Sequence, residues 1–171
     1  MTETPPELEL RPLAGLDRGR VARWLRSPVV ADWLGGPASA EARVRLAADV
    51  AGAICRLVTS NGVAIGYAHA FDAAADGALR TAVPAGAWLC ELFIGEEAHR
   101  GRGYWSRALE LLVAEVDTTT LATAIAVVVP VRDERVARAA ERCGFRWHRI
   151  LHDGSAGPSW VMLRERGSAV G

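Results

Sequence analysis

The sequence predicts one α/β domain built on a single-layer mixed sheet, and three observations carry that expectation. A chain of 171 residues, half of them hydrophobic, supports one packed core and is short for two. β-prone runs, alternating or wholly apolar, are interspersed with stretches whose apolar residues recur at i, i+3 and i+4. Asn61-Gly62 joins two of those runs directly, which puts an antiparallel pair in the sheet. The predicted order is β-α-α-β-β-β-α-β-α-β-β, one domain over residues 1–171 with its core at about 8–164.

LELRPL (8–13) alternates apolar and polar residues as a short strand does. Asp17 is a suitable N-cap for DRGRVARWLRS, in which Val21, Trp24 and Leu25 share one helical face, and Pro28 closes that helix. PVVADWLGGP breaks at Gly35-Gly36-Pro37, and Ser39 with Arg43 to Val50 indicates a second, Ala-rich helix. AICRLVTS (53–60) and VAIGYAHAF (63–71) form the hairpin, because both central residues of its two-residue turn need positive φ and Asn-Gly supplies them. After the loop DAAADGALRTAVP come a strand over 86–94, an amphipathic helix over about 104–116 and an apolar strand over 123–130. RDERVARAAERC (132–143) is a helix stopped by Gly144. Two closing strands, 144–153 and 159–163, are parted by the turn GSAGP, and Glu165 to Gly171 reads as a frayed tail.

Twenty basic residues balance twenty acidic ones, so no field of one sign points to nucleic acid or an anionic membrane. Every basic residue is Arg, which removes a single arginine's value as a signal. Cys55, Cys90 and Cys143 are scattered and odd in number, which favours a reducing compartment over a disulfide framework. The acidic, Pro-containing start lacks an apolar leader core, and no segment reaches the ~18 apolar residues of a membrane span. The expectation is a cytoplasmic protein.

Between the strand ending Phe93-Ile94 and the helix opening at Tyr104 stands HRGRGYW, His99 to Trp105. Arg100-Gly101-Arg102-Gly103 before a helix start brings backbone N–H groups and the positive end of the helix to one spot, and both attract anions. A pyrophosphate suits such a place, and an ordinary glycine-bearing surface loop has the same pattern. Glu91 is the only ionisable side chain in GAWLCELFI. If buried, its pKa rises and it suits removal of a proton from an ammonium; if it faces water, it is an ordinary strand Glu. Asp32 beside Trp33, together with Asp72 and Asp76, offers carboxylates for a cationic amine. DAAADG is equally good turn chemistry, and Trp33 also reads as a core or pocket wall. His69, His148 and His152 have no metal-ligand spacing, so no metal is expected. G-x-S-x-G is absent, and Cys90 and Cys143 lie in apolar settings that raise a thiol pKa, so direct attack by the amine is the simplest chemistry.

RGRGYW (100–105) resembles the R/Q-x-x-G-x-G/A loop of the GCN5-related N-acetyltransferases, which holds the pyrophosphate of acetyl-coenzyme A. RDERVARAAERCGF (132–145) is similar to that family's helix ending in Gly-Phe, and the likeness in element order extends over residues 8 to 164. VVADWLGGP, AIGYAHAFD, CELFIGEEAHRGRGYWSRAL and the ending CGF…GPSWVML look like the aminoglycoside 6′-N-acetyltransferases, and GYWSRAL is also similar to acetyltransferases of protein N-termini. The resemblance implies a mostly antiparallel sheet flanked by helices, acetyl-CoA as co-substrate, and an acceptor amine on a small cationic molecule such as an aminoglycoside-type antibiotic. A monomer or homodimer is the expected assembly.

On the same resemblance, Arg100, Gly101, Arg102, Gly103, Tyr104, Trp105 and Ser106 form the pyrophosphate loop. Phe93 and Ile94 lie on the pantetheine path between parted strands, Asp133 and Arg138 contact the coenzyme, and Glu91 is the base. Three positions depart from the pattern: Trp105 replaces Gly or Ala, Ala140 replaces a Tyr that serves as general acid, and Asp133 replaces an Asn. An acceptor on a protein N-terminus, and a non-catalytic binding module on the same fold, are the alternatives.

Overall fold

In the computed structural model, which describes residues 4–152 and 156–167, seven strands form one sheet in the order β1-β2-β3-β4-β5-β7-β6. They are β1 (Leu8–Pro12), β2 (Ile54–Ser60), β3 (Val63–Asp72), β4 (Ala87–Ile94), β5 (Ala124–Pro130), β6 (Arg146–Leu151) and β7 (Ser159–Glu165). Every neighbouring pair is antiparallel except β4 and β5. The mixed, mostly antiparallel sheet of the expectation is therefore present. Asn61 (φ 49°) and Gly62 (φ 80°) make the tight turn that sets Ser60 opposite Val63.

Helices cover both faces. α1 (Asp17–Leu25), α2 (Pro28–Trp33) and α3 (Pro37–Asp49) lie on one, where Val21, Trp24, Leu25, Val30, Leu34 and Ala40 pack with Leu57, Tyr67 and Phe93. α4 (Tyr104–Thr119) and α5 (Glu134–Arg142) lie on the other. α4 is held there by Ala108, Leu109, Leu112, Val113 and Val116, spaced at one helical face and buried against Cys90, Leu92, Ile94 and Ile125.

Four boundaries differ from the sequence reading, each for a local reason. α2 is an additional helix. Pro28 both ends α1 and begins α2, because the first helical position needs no N–H. α3 starts at Pro37, ahead of Ser39, on the same principle. Asp17 is the first residue of α1 and not its cap: its carboxylate accepts the Ala14 N–H (2.8 Å) and pairs with Arg11 (2.8 Å), tying the β1–α1 connection together. α4 runs on to Thr119, since the hydroxyls of Thr119 and Thr120 bond carbonyls one turn back, at 2.6 Å to Glu115 and 2.8 Å to Val116.

Glu165, assigned to the tail by sequence, closes β7 opposite Ala124. Residues 168–171 of that tail, and 153–155 around the GSAGP turn, lie outside the described residues.

Candidate active site

The site begins where the sheet opens. β4 and β5 pair only at Ala87–Leu89 against Ala124–Ala126. Beyond that point β5 stays in register with β7 as far as Pro130, while β4 stays with β3 as far as Ile94. The stretch Cys90–Ile94 therefore has an edge left unpaired by β5, and its backbone donors and acceptors are open to a ligand except the Leu92 carbonyl, which a side chain occupies.

β4 leads through Gly95 and a short turn into the loop. Gly101 (φ 71°) and Gly103 (φ 77°) are both left-handed, so the chain swings sharply into α4 with Gly103 as its N-cap. No side chain caps this end, which leaves the N–H groups of Tyr104, Trp105 and Ser106 without intrahelical acceptors. Arg100 is turned inward: Nε donates to the Ile94 carbonyl (3.0 Å) and Nη2 to that of Gly95 (2.8 Å), bracing the loop on the end of β4.

A groove of about 690 Å³ runs from this loop along the open edge of β4. Phe93, Ile94, Arg100, Gly101, Gly103, Tyr104, Trp105, Ser106 and Asp133 line it, with Asp32 and Trp33 on the opposite bank. The exposed Arg102 side chain does not. Arg138 also lies outside it, exposed and paired with Glu134 (3.7 Å) one turn back on α5. Arg135, Val136, Ala139 and Arg142 of α5 line the groove. Ala140 is fully buried in the core under α4, and Asp133 is the N-cap residue of α5, its carboxylate making no capping bond.

Trp105 takes a definite position. Its ring turns into the wedge between α4 and β4, and Nε1 donates to the Leu92 carbonyl (3.2 Å) on the unpaired edge. Together with Trp33 and Leu92, it also lines a smaller chamber of about 40 Å³ that reaches Cys90, Glu91, Val127, Val128 and Arg43. The opened ladder thus connects the loop on one face of the sheet with Glu91 on the other.

Glu91 is neither free nor solvent-facing; its side chain is 12% exposed. It sits opposite His69 in the β3–β4 register, and Oε2 lies 2.8 Å from His69 Nε2 while Arg43 Nε of α3 donates to Oε1 at 2.6 Å. Arg43 Nη2 donates in turn to Asp76 Oδ2 (3.2 Å), and His69 Nδ1 contacts the Tyr67 hydroxyl (3.2 Å). Burial pushes the Glu91 pKa up, yet Arg43 and His69 outweigh it and hold the carboxyl at about 2. The expected upward shift is therefore reversed: burial is present as foreseen, but a cation comes with it. Burial also keeps the Cys90 thiol protonated, and raises that of Cys143 to about 11.

The other acidic candidates separate. Asp76 Oδ1 accepts the Ala78 and Leu79 N–H groups (2.9 and 3.1 Å) while Oδ2 holds Arg43, so it is a turn former tied to the Glu91 cluster. Asp72 accepts the Ala74 N–H (2.9 Å) at the end of β3 and lies outside both cavities. Asp32 is exposed at the groove mouth, beside Trp33.

Sequence reasoning misses Arg43, His69 and His99. Arg43 is one Arg among twenty, and His69 gains meaning only from the β3–β4 register. His99 lines the groove with its ring against Tyr104 (5.8 Å), and its Nδ1 is buried without a partner among the described residues. Its place in HRGRG, immediately before the loop, is the signal that was available. Among the described residues no group of three His, Cys, Asp or Glu side chains is arranged to hold a metal ion.

Comparison with known proteins adds the following. A family model described as an acetyltransferase (GNAT) domain matches residues 15–152. Among solved structures, AAC(6')-Ib in complex with ribostamycin and coenzyme A superposes with a TM-score of 0.79 at 21% identity, covering 94% of each chain. The AAC(6')-Ib complex with coenzyme A and kanamycin gives 0.78 at 20% identity, covering 94% of this chain and 95% of the other. Spermidine N-acetyltransferase from Vibrio cholerae, with CoA and spermine, gives 0.72 at 14% identity, covering 93% and 95%. A search of curated proteins finds no match.

Proposed function

The chain belongs to the GNAT acetyltransferase family, and from that premise we propose that it transfers the acetyl group of acetyl-CoA to a primary amine of a small cationic molecule of aminoglycoside type. One observation carries the reading: the β4–β5 ladder is open between an uncapped helix start and a charged carboxylate. Pyrophosphate accepts hydrogen bonds from the N–H groups of Tyr104, Trp105 and Ser106. The pantetheine arm runs along the free edge of β4 past Ile94 and Phe93 and brings the thioester to the chamber beside Glu91.

There the amine nitrogen attacks the thioester carbon. The C–N bond forms, the C–S bond breaks and the nitrogen releases its second proton to solvent, while the sulfur leaves as the coenzyme thiolate, which takes a proton from solvent. Backbone N–H groups on the open edge polarise the carbonyl. Glu91, charged at neutral pH, attracts the incoming ammonium, and once the Arg43 guanidinium has moved off it is basic enough to receive the proton directly or through a water. Arg43 gives up its hydrogen bond to Glu91 as the substrate cation arrives. Asp32 and Trp33 hold the remainder of the substrate at the groove mouth.

The support for a cationic acceptor is that solved relatives are found in complex with polyamines or aminoglycosides, AAC(6')-Ib with ribostamycin or kanamycin and the spermidine N-acetyltransferase with spermine. Incubation with radiolabelled acetyl-CoA and a panel of aminoglycosides, polyamines and peptides tests the proposal. Label is expected on aminoglycosides, with the rate cut about 10²-fold or more in Glu91→Gln. Transfer to peptides alone contradicts the acceptor class, and an unchanged rate in Glu91→Gln removes that residue from the mechanism.

A further inference from the structure

We infer that His69 is a positioning residue: an imidazole with its proton on Nε2, which holds Oε2 of Glu91 and leaves Oε1 as the oxygen that takes the acceptor's proton. The inference rests on the acetyl-transfer reading above and adds which carboxylate oxygen reacts and what keeps it aimed. Cys55, His69 and Glu91 stand in one row across β2, β3 and β4, each opposite the next in register. Side chains in such a row share one face of the sheet. Tyr67 and Phe71, two residues to either side of His69 on β3, set their rings 5.5 Å from the imidazole. His69 is 2% exposed, so these neighbours hold the ring in place.

The two ring nitrogens have different partners, Glu91 Oε2 at 2.8 Å from Nε2 and the Tyr67 hydroxyl at 3.2 Å from Nδ1. A charged carboxylate only accepts hydrogen bonds, so Nε2 carries a proton and donates it. The Tyr67 hydroxyl keeps its own proton, because burial pushes its pKa up. It donates to Nδ1 in preference to the Cys55 thiol that it also bonds, since sulfur is the weaker acceptor. Tyr67 thus fixes the tautomer. A second proton, on Nδ1, would make the ring a cation and hold down the basicity of Glu91 after Arg43 has moved off. In the resting site the carboxylate is held from two sides, by Arg43 on Oε1 and by His69 on Oε2. When the acceptor displaces Arg43, His69 keeps its hold, and Oε1 is freed at the chamber that Arg43 and Glu91 both line. The ammonium gives one proton to Oε1, while His69 retains its own. The proton on Oε1 passes to solvent after the product leaves, and Arg43 then returns.

The tautomer is read directly by NMR of the full chain with its histidine ring nitrogens isotope-labelled, which needs neither coenzyme nor acceptor. The chain has four histidines, and loss of one signal set in His69→Gln assigns that of His69. The Nε2–H form is expected at neutral pH. An Nδ1–H ring or a doubly protonated one overturns the inference and leaves the acetyl-transfer reading standing. Steady-state kinetics with the acceptor labelled in the panel tests the positioning. Gln offers an amide N–H where Nε2 stands, and Leu offers none. In His69→Leu, kcat is expected to fall about tenfold or more with both KM values within about threefold of wild type. In His69→Gln, kcat is expected to stay within about threefold of wild type. His69→Asn, whose amide ends at the place of Nδ1 and falls short of Glu91, serves if His69→Leu does not fold. An unchanged kcat in His69→Leu, or the same loss in His69→Gln, overturns the positioning role. A folded wild-type chain that acetylates no acceptor overturns the reading on which that role rests, and the tautomer result tells the two failures apart.

Discussion

Arg43 decides what kind of carboxylate Glu91 is. A buried carboxyl alone titrates late, whereas one facing a guanidinium at 2.6 Å stays charged to about pH 2. Since the folded-state pKa lies below the ordinary 4.5, the stability it contributes is complete above that value and is lost as the pH falls from about 4.5 toward 2. Arg43→Ala leaves the carboxylate buried with His69 and no guanidinium, and is expected to cost about 3 kcal/mol at neutral pH. Urea unfolding of both proteins at pH 7 and pH 3 checks this: the gap narrows at the lower pH, where the variant's carboxyl takes a proton and the wild-type pair loses its advantage. A gap of the same size at both values would remove the ion pair as its source. Glu91 itself was legible, as a lone charge in an apolar strand. Its partners were not, because Arg43 arrives from a separate helix and His69 faces it only by register, across a connection of irregular length between β3 and β4.

At the scale of elements, the strand, loop and helix from Ala87 to Thr119 carry the coenzyme side of the account. The two left-handed glycines are what let the loop fold back over the end of β4. A Cβ at Gly103 meets no other atom, so Gly103→Ala tests backbone strain alone, and a destabilisation of about 1–2 kcal/mol by urea unfolding is expected. No measurable change would mean that the loop does not depend on the left-handed residue. Local chemistry made this segment readable: glycine spacing, helical periodicity and an apolar strand coincide within one short stretch. The same local logic failed at α2, where a single Pro28 serves two helices.

Across the whole molecule, the opening between β4 and β5 is the feature that joins the two faces of the sheet. There β4 stays with β3 as far as Ile94 and β5 stays with β7, on its other edge, as far as Pro130, so the two strands part. The β2–β3 hairpin could be read from Asn61-Gly62, but the order β5-β7-β6 is a long-range choice with no local signature. The element list apart from α2 was therefore recoverable from sequence, and the meeting of Trp33, Leu92 and Trp105 beside Glu91 was not, since those residues come together only where the sheet opens. The measurement that tests the central claim most directly is a crystal structure of the chain with acetyl-CoA. The account predicts pyrophosphate on the N–H groups of Tyr104 to Ser106, pantetheine along the free edge of β4, and the acetyl carbon in the chamber beside Glu91. A coenzyme bound elsewhere, or a pantetheine arm kept out of the opening by the Trp105 ring, would contradict it.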